Sequence, residues 1–302
     1  MNKGSHILLV INPIAGHNDK HHIVEMVKRE VERNNGTIDT YRTTGFEDMS
    51  SIQDLIRKTT PQRMVVVGGD GTISLVAEAI IGSNIPLGII PAGSANGLCH
   101  SLEIPDDLDD QIKIALGEQL LRMDVLKVNG KSCLHIADLG INAELIRNFR
   151  NSNIRGKLGY ILNAIPTLIE TDSPFTFKIE LNGQSFVRTG IMLAIANAQS
   201  YGLGGTINPR GRIDDGKFEI IIFKSFDPIE IIKTLYDEAD LDSGFAECYS
   251  TQKSIIQTQR PIPFQIDGEL MEDTSRVVVE VDIKSIDIAV PTGFSDARID
   301  KF

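Results

Sequence analysis

The first 124 residues of the chain alternate between two hydrophobic patterns. Short apolar runs such as HILLVI, RMVVVGG and IPLGIIP are typical of strands that are buried on both faces of a parallel sheet. Between the strands lie stretches with helical periodicity. The first of these places its apolar residues on one stripe: Ile23, Val24, Val27 and Val31. Four strands with helices between them predict a parallel sheet that is covered by helices on both sides, which is a three-layer α/β domain.

After Asp124 the pattern changes to alternation. In PFTFKIELNGQSFV the apolar residues occupy every second position as far as Leu181, and Asn182-Gly183 follows, a dipeptide typical of a β-hairpin. GKFEIIIF, PIPFQIDGEL and SRVVVEVDIKSIDIAV are further predicted strands. We therefore predict an α/β domain over residues 1–124 and a mainly antiparallel β domain over residues 125–291. The tail, residues 292–302, is expected to return to the first domain.

Charge and cysteine content narrow the class of protein. The formal net charge of −11 over 302 residues argues against a nucleic-acid binder and against attraction of the whole molecule to an anionic membrane. The three cysteines, Cys99, Cys133 and Cys248, have no CxxC spacing, which favours a reducing, cytoplasmic setting. Since no apolar run approaches about 20 residues, we expect no membrane-spanning helix.

Three loops rich in small residues follow predicted strands: INPIAG, GGDGT and PAGSANGLC. The carboxyl ends of parallel strands meet at one edge of a sheet, where ligands bind. Glycine lets the backbone come close to a ligand, and its N–H groups can hold phosphate beside the positive end of a helix. The three loops predict a phosphate-binding crevice. An alternative is that GGDGT is an ordinary turn in which Asp70 or Thr72 caps the next helix.

Asp70 requires a separate explanation, because a carboxylate repels phosphate. It makes sense if Asp70 holds a cation, orients a hydroxyl group or accepts a proton during group transfer.

These motifs resemble those of the diacylglycerol/sphingosine lipid kinases, which belong to the superfamily of NAD kinase and phosphofructokinase. The resemblance is carried by Asn12-Pro13-x-x-Gly16, by Gly68-Gly69-Asp70-Gly71-Thr72 and by Pro91-Ala92-Gly93-Ser94-x-Asn96. MDV at 123–125 and IDGE at 266–269 are similar to two further family motifs. The resemblance covers nearly the whole chain.

The resemblance implies an ATP-binding α/β domain, a lipid-binding β-sandwich and Mg²⁺-dependent transfer of the γ-phosphate to a lipid hydroxyl. The residues expected to contact the nucleotide are Asn12, Pro13, Gly16, Thr44, Gly68, Gly69, Gly71, Thr72, Gly93, Ser94 and Asn96.

The resemblance also assigns roles to acidic residues. Asp70 is expected beside the metal and the phosphates, and Asp124 in the acidic network around the metal. Asp267 is the expected base with Glu269 beside it, and Asp70 is the rival for that role. Acidic groups from both halves of the chain are thus expected to meet at the terminal phosphate.

Asp214 and Asp215 in INPRGRIDDGKFE resemble the ligands of a structural metal site in the β domain. An ordinary turn of two aspartates followed by glycine is the alternative.

The chain departs from the family pattern at four positions. Ser74 and Leu75 stand where a motif with glutamate is usual, His17 stands where lysine is common, and Gly97 stands where aspartate is common. These departures argue more strongly against diacylglycerol as the substrate than against kinase chemistry. An NAD kinase-like enzyme and a nucleotide-binding regulator without catalysis remain the alternatives.

The stretch from 145 to 169 contains no Asp or Glu. It carries four basic residues that could steer the enzyme to anionic lipid by peripheral contact: Arg147, Arg150, Arg155 and Lys157. A core helix with a solvated basic end is the alternative. The sequence leaves the oligomeric state open, and a homodimer is among the states it allows.

Overall fold

A computed structural model describes residues 4–16, 20–151, 174–199, 207–208, 211–225 and 244–294. The chain divides into two compact units. The first contains Met1–Met123 and Lys284–Asp300, and the second contains Asp124–Ile283 and Lys301–Phe302. The first unit resumes at Lys284, earlier in the chain than residue 292, where the tail was expected to return.

The first unit is built on a parallel sheet in the strand order β2-β1-β3-β4. Its strands are β1 (His6–Ile11), β2 (Thr37–Arg42), β3 (Arg63–Gly68) and β4 (Leu87–Pro91). The end of a later strand, β16 (Thr274–Ala289), joins the free side of β4 in parallel, with Ile288 opposite Leu87. The helices are α1 (Lys20–Arg33), α2 (Asp48–Thr59), α3 (Asp70–Ile80), α4 (Gly97–Ser101) and α5 (Leu108–Ala115).

Burial explains why these segments form a parallel sheet. Every residue of β3 is buried, as expected for a strand with helices on both faces. The predicted apolar stripe of α1 is confirmed, since its four residues are buried and pack on strands β1 and β3. Gly88 of β4 lies so close to α5 that an added Cβ would be 2.2 Å from the carbonyl oxygen of Ala115.

The second unit contains two antiparallel sheets. In one, β16 pairs with β13 (Lys253–Ile262), which continues to β8 (Phe175–Leu181) and β9 (Gln184–Gly190). β5 (Leu120–Val128) pairs with β16 and with β6 (Lys131–Cys133). The other sheet has the described order β12-β11-β10-β7-β14-β15. Its strands are β7 (Ile136–Gly140), β10 (Met192–Ala196), β11 (Phe218–Phe223), β12 (Ala246–Thr251), β14 (Phe264–Ile266) and β15 (Glu269–Leu270), and α6 (Ile141–Asn151) follows β7.

The two sheets enclose one apolar core, which makes the second unit a β-sandwich as predicted. Phe177 and Ile179 of β8 belong to the same buried cluster as Leu193 of β10 and Ile220 of β11. The predicted hairpin is confirmed, because β8 and β9 pair across Asn182-Gly183 and both turn residues have positive φ, 50° and 74°. The fold class is therefore α/β plus β.

The sequence pattern left several elements undetected. β7 and β10 are short and largely buried on both faces, so they lack the alternation that marks a strand, and β12 was also not predicted. Among the described residues no helix is both long and apolar enough to cross a membrane.

A charged network lies on the second unit and fixes Glu247 of β12. Its carboxylate accepts hydrogen bonds from the Nε of Arg188 and the hydroxyl of Tyr249, each at 2.6 Å, and it pairs with the Nζ of Lys224 at 2.8 Å. The ring of Phe186 packs on that of Tyr249, with centroids 4.9 Å apart. Hydrogen bonds from Lys224, Tyr249 and Arg188 lower the pKa of Glu247 to about 2.

We expect this network to stabilise the protein only while Glu247 is ionised. The pKa in the folded state lies below the usual value of 4.5, so the stabilisation is present above that value and is lost as the pH falls towards about 2. Solvent screens the network, so the effect is small. Urea unfolding of wild type and Glu247→Gln should therefore differ most near neutral pH and converge in acid. A gap that stays constant between neutral pH and acid would contradict this account.

Candidate active site

Three loops of the first unit meet at the carboxyl edge of its sheet. Gly16 has a φ of 55° and lies against the loop after β4. A Cβ added to Gly16 would be 2.3 Å from the carbonyl oxygen of Ala92. A Cβ added to Gly93 would lie 2.5 Å from the Cα of Gly69. The loops after β1, β3 and β4 therefore form one continuous backbone surface. A side chain at Gly93 would force the backbone where the last two loops touch to shift, and one at Gly69 would make a tight contact there.

A side-chain hydrogen bond ties the first loop to the glycine turn. The Nδ2 of Asn12 donates to the Oγ1 of Thr72 at 3.0 Å, and the Oδ1 of Asn12 accepts the N–H of Ile14 at 3.1 Å. Gly68 ends β3 so close to Thr72 that a Cβ on the glycine would lie 2.6 Å from the Cβ of Thr72. The structure thus brings together the predicted residues of all three loops.

Asp70 is the first residue of α3, and Gly69 is the N-cap residue without a side-chain hydrogen bond to the helix. The alternative that Asp70 or Thr72 caps this helix is therefore wrong. The positive end of the helix favours a carboxylate in its first turn. Burial and the nearby charge of Asp70 raise the pKa of the Cys99 thiol, so Cys99 stays protonated and is no nucleophile.

Asn96 shapes its own loop. Its Oδ1 accepts the N–H of Gly93 at 2.9 Å and its Nδ2 donates to the carbonyl oxygen of Gly93 at 3.0 Å. Asn96 has a left-handed φ of 54° and is the N-cap residue of α4. Ser94 and Pro13 are exposed at this edge, and so is Gly71 in the first turn of α3.

Thr44 follows β2 and is held by a residue that sequence reasoning missed. Asp48 accepts the N–H and the hydroxyl of Thr44 at 2.9 and 3.1 Å and the N–H of Gly45 at 2.8 Å. The signal was available, since an acidic residue just before a helical pattern is a typical helix start.

The turn Asp267-Gly268 joins β14 to β15, and both residues have positive φ, 47° and 80°. The Asp267 carboxylate is buried and accepts three backbone N–H groups, from Leu134 at 2.9 Å, His135 at 2.9 Å and Ile136 at 3.1 Å. Asp267 therefore anchors the start of β7. Glu269, two residues further on, is exposed.

A buried polar network supports the same turn. The Oδ2 of Asp138 accepts from the Nε2 of Gln265 at 2.5 Å and from the Nδ2 of Asn142 at 2.7 Å, and the Oε1 of Gln265 accepts the N–H of Gly268 at 2.7 Å. Asp138, Asn142 and Gln265 were not predicted as site residues. Gln265 is 127 residues from Asp138, and the three residues belong to no recognised motif, so nothing in the chain marks them as a group.

The other predicted acidic residues lie in the second unit. Asp124 is fully buried, and its Oδ2 accepts the N–H of Gly216 at 2.6 Å. Asp214 pairs with Arg212 at 3.1 Å, and Asp215 accepts the N–H of Lys217 at 2.9 Å. Within the described ranges no group of three or more His, Cys, Asp or Glu side chains is placed to hold a metal ion. The metal roles of Asp70, Asp124, Asp214 and Asp215 stay predictions.

The basic stretch is described only in part. Arg147 of α6 pairs with Glu144 at 3.1 Å and also with Asp273, so acidic groups of the second unit compensate its charge. Arg150 lies in the same helix. Arg155, Lys157 and His17 lie outside the described residues.

Comparison with known proteins matches both units to one family. Residues 6–128 match the diacylglycerol kinase catalytic domain, and residues 136–290 match the YegS C-terminal NAD kinase beta sandwich-like domain. A probable lipid kinase YegS of Escherichia coli O6:K15:H31 (strain 536 / UPEC) is 30% identical over 230 residues, 74% of this chain and 76% of the relative. A probable lipid kinase YegS-like of Citrobacter koseri is 28% identical over 228 residues, with the same coverage.

Solved structures show the same fold. The crystal structure of a diacylglycerol kinase from Bacillus anthracis str. Sterne superposes with a TM-score of 0.74 at 18% identity, covering 98% of this chain and 100% of the other. Together the two matched domains define a kinase. The chain belongs to the diacylglycerol kinase-like lipid kinase family, which includes the YegS proteins.

We expect Asp267→Asn to loosen the start of β7. An asparagine offers one acceptor oxygen and one donor group, so at least one of the three N–H groups loses its partner, at about 1–3 kcal/mol for a buried group. Hydrogen exchange of the amides at 134–136, followed by mass spectrometry, should become faster. Glu269→Gln, an exposed change on the same turn, is the matched control and should leave exchange as in wild type. Unchanged exchange in Asp267→Asn would refute the anchoring role.

Proposed function

We propose that this kinase transfers the γ-phosphate of ATP to a hydroxyl group of a lipid, with Mg²⁺ as cofactor. The observation that carries the proposal is the contact between Gly69 and Gly93, which aligns the backbones of two loops at the edge of a parallel sheet. The names of the YegS relatives and of the structural neighbour support a lipid as the acceptor.

The first unit supplies the nucleotide site in this proposal. The glycine turn before Thr72 and the positive end of α3 would hold the phosphate oxygens, whereas the N–H of Thr72 already donates to the carbonyl oxygen of Gly69 at 2.9 Å. The hydrogen bond between Asn12 and Thr72 keeps the first loop against this turn. No side chain between the loops after β3 and β4 blocks the approach of an anion, because both contact residues are glycines.

The carboxylate of Asp70 suits Mg²⁺, which prefers oxygen ligands and is held by few protein groups. Bound there, the metal would neutralise charge that develops on the transferring phosphate. Asp124 fits direct ligation less well, because the backbone of the second unit encloses its carboxylate. We assign Asp124 to the support of the 213–216 turn.

The hydrogen bonds of Asp267 support a different proposal for the base. Both oxygens of Asp267 already accept backbone N–H groups, whereas Glu269 is exposed on the same turn. A base must be able to approach the hydroxyl whose proton it takes. We therefore propose Glu269 as the base and Asp267 as the residue that positions the turn, in place of the expected roles.

A diacylglycerol or a sphingoid-type lipid is the proposed acceptor, reached by peripheral contact of a cytoplasmic enzyme with the membrane. The described part of the basic stretch supports this contact weakly, since Arg147 is paired. A homodimer is compatible with the proposal. An NAD kinase-like activity is the second candidate, because the matched C-terminal domain is described as NAD kinase beta sandwich-like.

The proposal is tested by incubating the protein with ATP labelled at the γ-phosphate, Mg²⁺ and a panel of diacylglycerol, monoacylglycerol, sphingosine and NAD. We expect label in one lipid class and none in NADP. Label in NADP would overturn the choice of a lipid acceptor. ATP binding without any labelled product would favour a regulator that has lost catalysis.

Variants separate the proposed roles. Glu269→Gln should lower turnover by at least about a hundredfold, the usual contribution of a general base, with unchanged ATP affinity and thermal stability. Asp70→Asn should raise the Mg²⁺ concentration needed for half-maximal rate. Glu78→Gln removes an exposed carboxylate from the same helix and is the matched control for Asp70. If Asp267→Asn abolished turnover while 134–136 stayed protected and Glu269→Gln stayed active, the base assignment would revert to Asp267.

A further inference from the structure

Phe46 exposes a large aromatic ring in the loop between β2 and α2, where 74% of the residue is accessible to solvent. Isolated apolar side chains are common on protein surfaces, so exposure alone carries little weight. The hydrogen bonds that hold the loop make the exposure of this ring more significant.

Asp48 makes this loop rigid. Its Oδ1 accepts hydrogen bonds from the N–H of Thr44 at 2.9 Å and from the hydroxyl of Tyr41 at 2.7 Å, and its Oδ2 accepts the N–H of Gly45 at 2.8 Å. The N–H of Phe46 donates to the Oγ1 of Thr44 at 3.2 Å. These bonds, which outweigh burial, lower the pKa of Asp48 and keep it ionised at neutral pH. The backbone of Phe46 is therefore ordered without a ligand.

A second apolar side chain is exposed on the neighbouring loop. Ile14, 88% exposed, lies just after β1, and its N–H is held by Asn12. Strands β1 and β2 are adjacent and parallel, with Ile11 opposite Arg42 at their carboxyl ends. Ile14 and Phe46 therefore belong to the same edge of the sheet as the glycine turn.

The loop that carries Phe46 follows β2, and the glycine turn follows β3. β2 is two strands away from β3, which corresponds to about 10 Å across a sheet. This is comparable with the span from the phosphates of a nucleotide to its base. Aromatic side chains bind bases by stacking on their flat faces.

We propose that Phe46 is the platform on which the base of the bound nucleoside triphosphate stacks, with Ile14 as a second apolar contact. This inference rests on the proposed function and extends it by naming the residues that bind the base. Because every base has an aromatic face, stacking does not discriminate strongly between adenine and guanine. Phe46 should therefore contribute similarly to the binding of ATP and GTP.

Insertion of Phe46 into a membrane is the competing explanation for an exposed aromatic ring. The next residue is the exposed Glu47, whose charge opposes approach to an anionic lipid surface. The local charge therefore favours a nucleotide held at some distance from Glu47 over a lipid surface that would cover both residues.

The first test measures binding without catalysis. Calorimetric titration of Phe46→Ala should give a dissociation constant for MgATP about tenfold above wild type, a loss typical of a base-stacking aromatic. Inorganic tripolyphosphate, which has no base, should bind both proteins equally. Val187→Ala removes an exposed apolar side chain from the second unit and is the matched control.

This titration distinguishes failure of the inference from failure of the proposed function. If wild type binds ATP and tripolyphosphate and Phe46→Ala matches it for both, or weakens both equally, this inference fails and the proposed function stands. If wild type binds neither compound, the proposed function and the inference fail together.

The second test uses the absence of tryptophan from the sequence. Phe46→Trp provides a single reporter whose emission should change on addition of MgATP or MgGTP, whereas Val187→Trp should not respond. Vesicles of phosphatidylcholine and phosphatidylglycerol in equal parts should have no effect without nucleotide. A response to vesicles alone, with none to nucleotide, would show a membrane contact and overturn the inference.

Discussion

The close approach of two glycine backbones is the constraint on which the candidate site depends. Gly69 and Gly93 can touch because neither has a Cβ, and the strands that carry them are neighbours, with Gly68 opposite Pro91. A Cβ at Gly93 would lie 2.5 Å from the Cα of Gly69 and would force the two loops to shift. The parallel order of the strands thus brings the two loops to the same edge of the sheet, and glycine allows their backbones to touch.

The candidate acidic residues differ in their surroundings. Asp48, Asp124 and Asp267 accept backbone N–H groups and fix loops or turns. Asp70 lies in the first turn of a helix, and Glu269 lies on an exposed turn. Residue type alone does not show which carboxylates hold the backbone; their hydrogen-bond partners do.

Much of the fold could be predicted because periodicity reports burial directly. The strand β3 reads as an unbroken apolar run, and β8 alternates as a strand with one buried face should. The convergence of the three loops also followed from their position after parallel strands. The environment of Asp267 could not be predicted, since its partners Leu134 and Ile136 are more than a hundred residues away in the sequence. The network of Asp138 was hidden for the same reason.

The first unit is assembled from two distant parts of the chain, and this affects how the protein folds during synthesis. Leu87 pairs with Ile288, and the N–H of Gly82 donates to the carbonyl oxygen of Ser285 at 3.0 Å. Ile288 must therefore be synthesised before this end of β16 can dock beside β4. Until then the growing polypeptide exposes an unpaired strand edge, which is a site of aggregation and of chaperone binding.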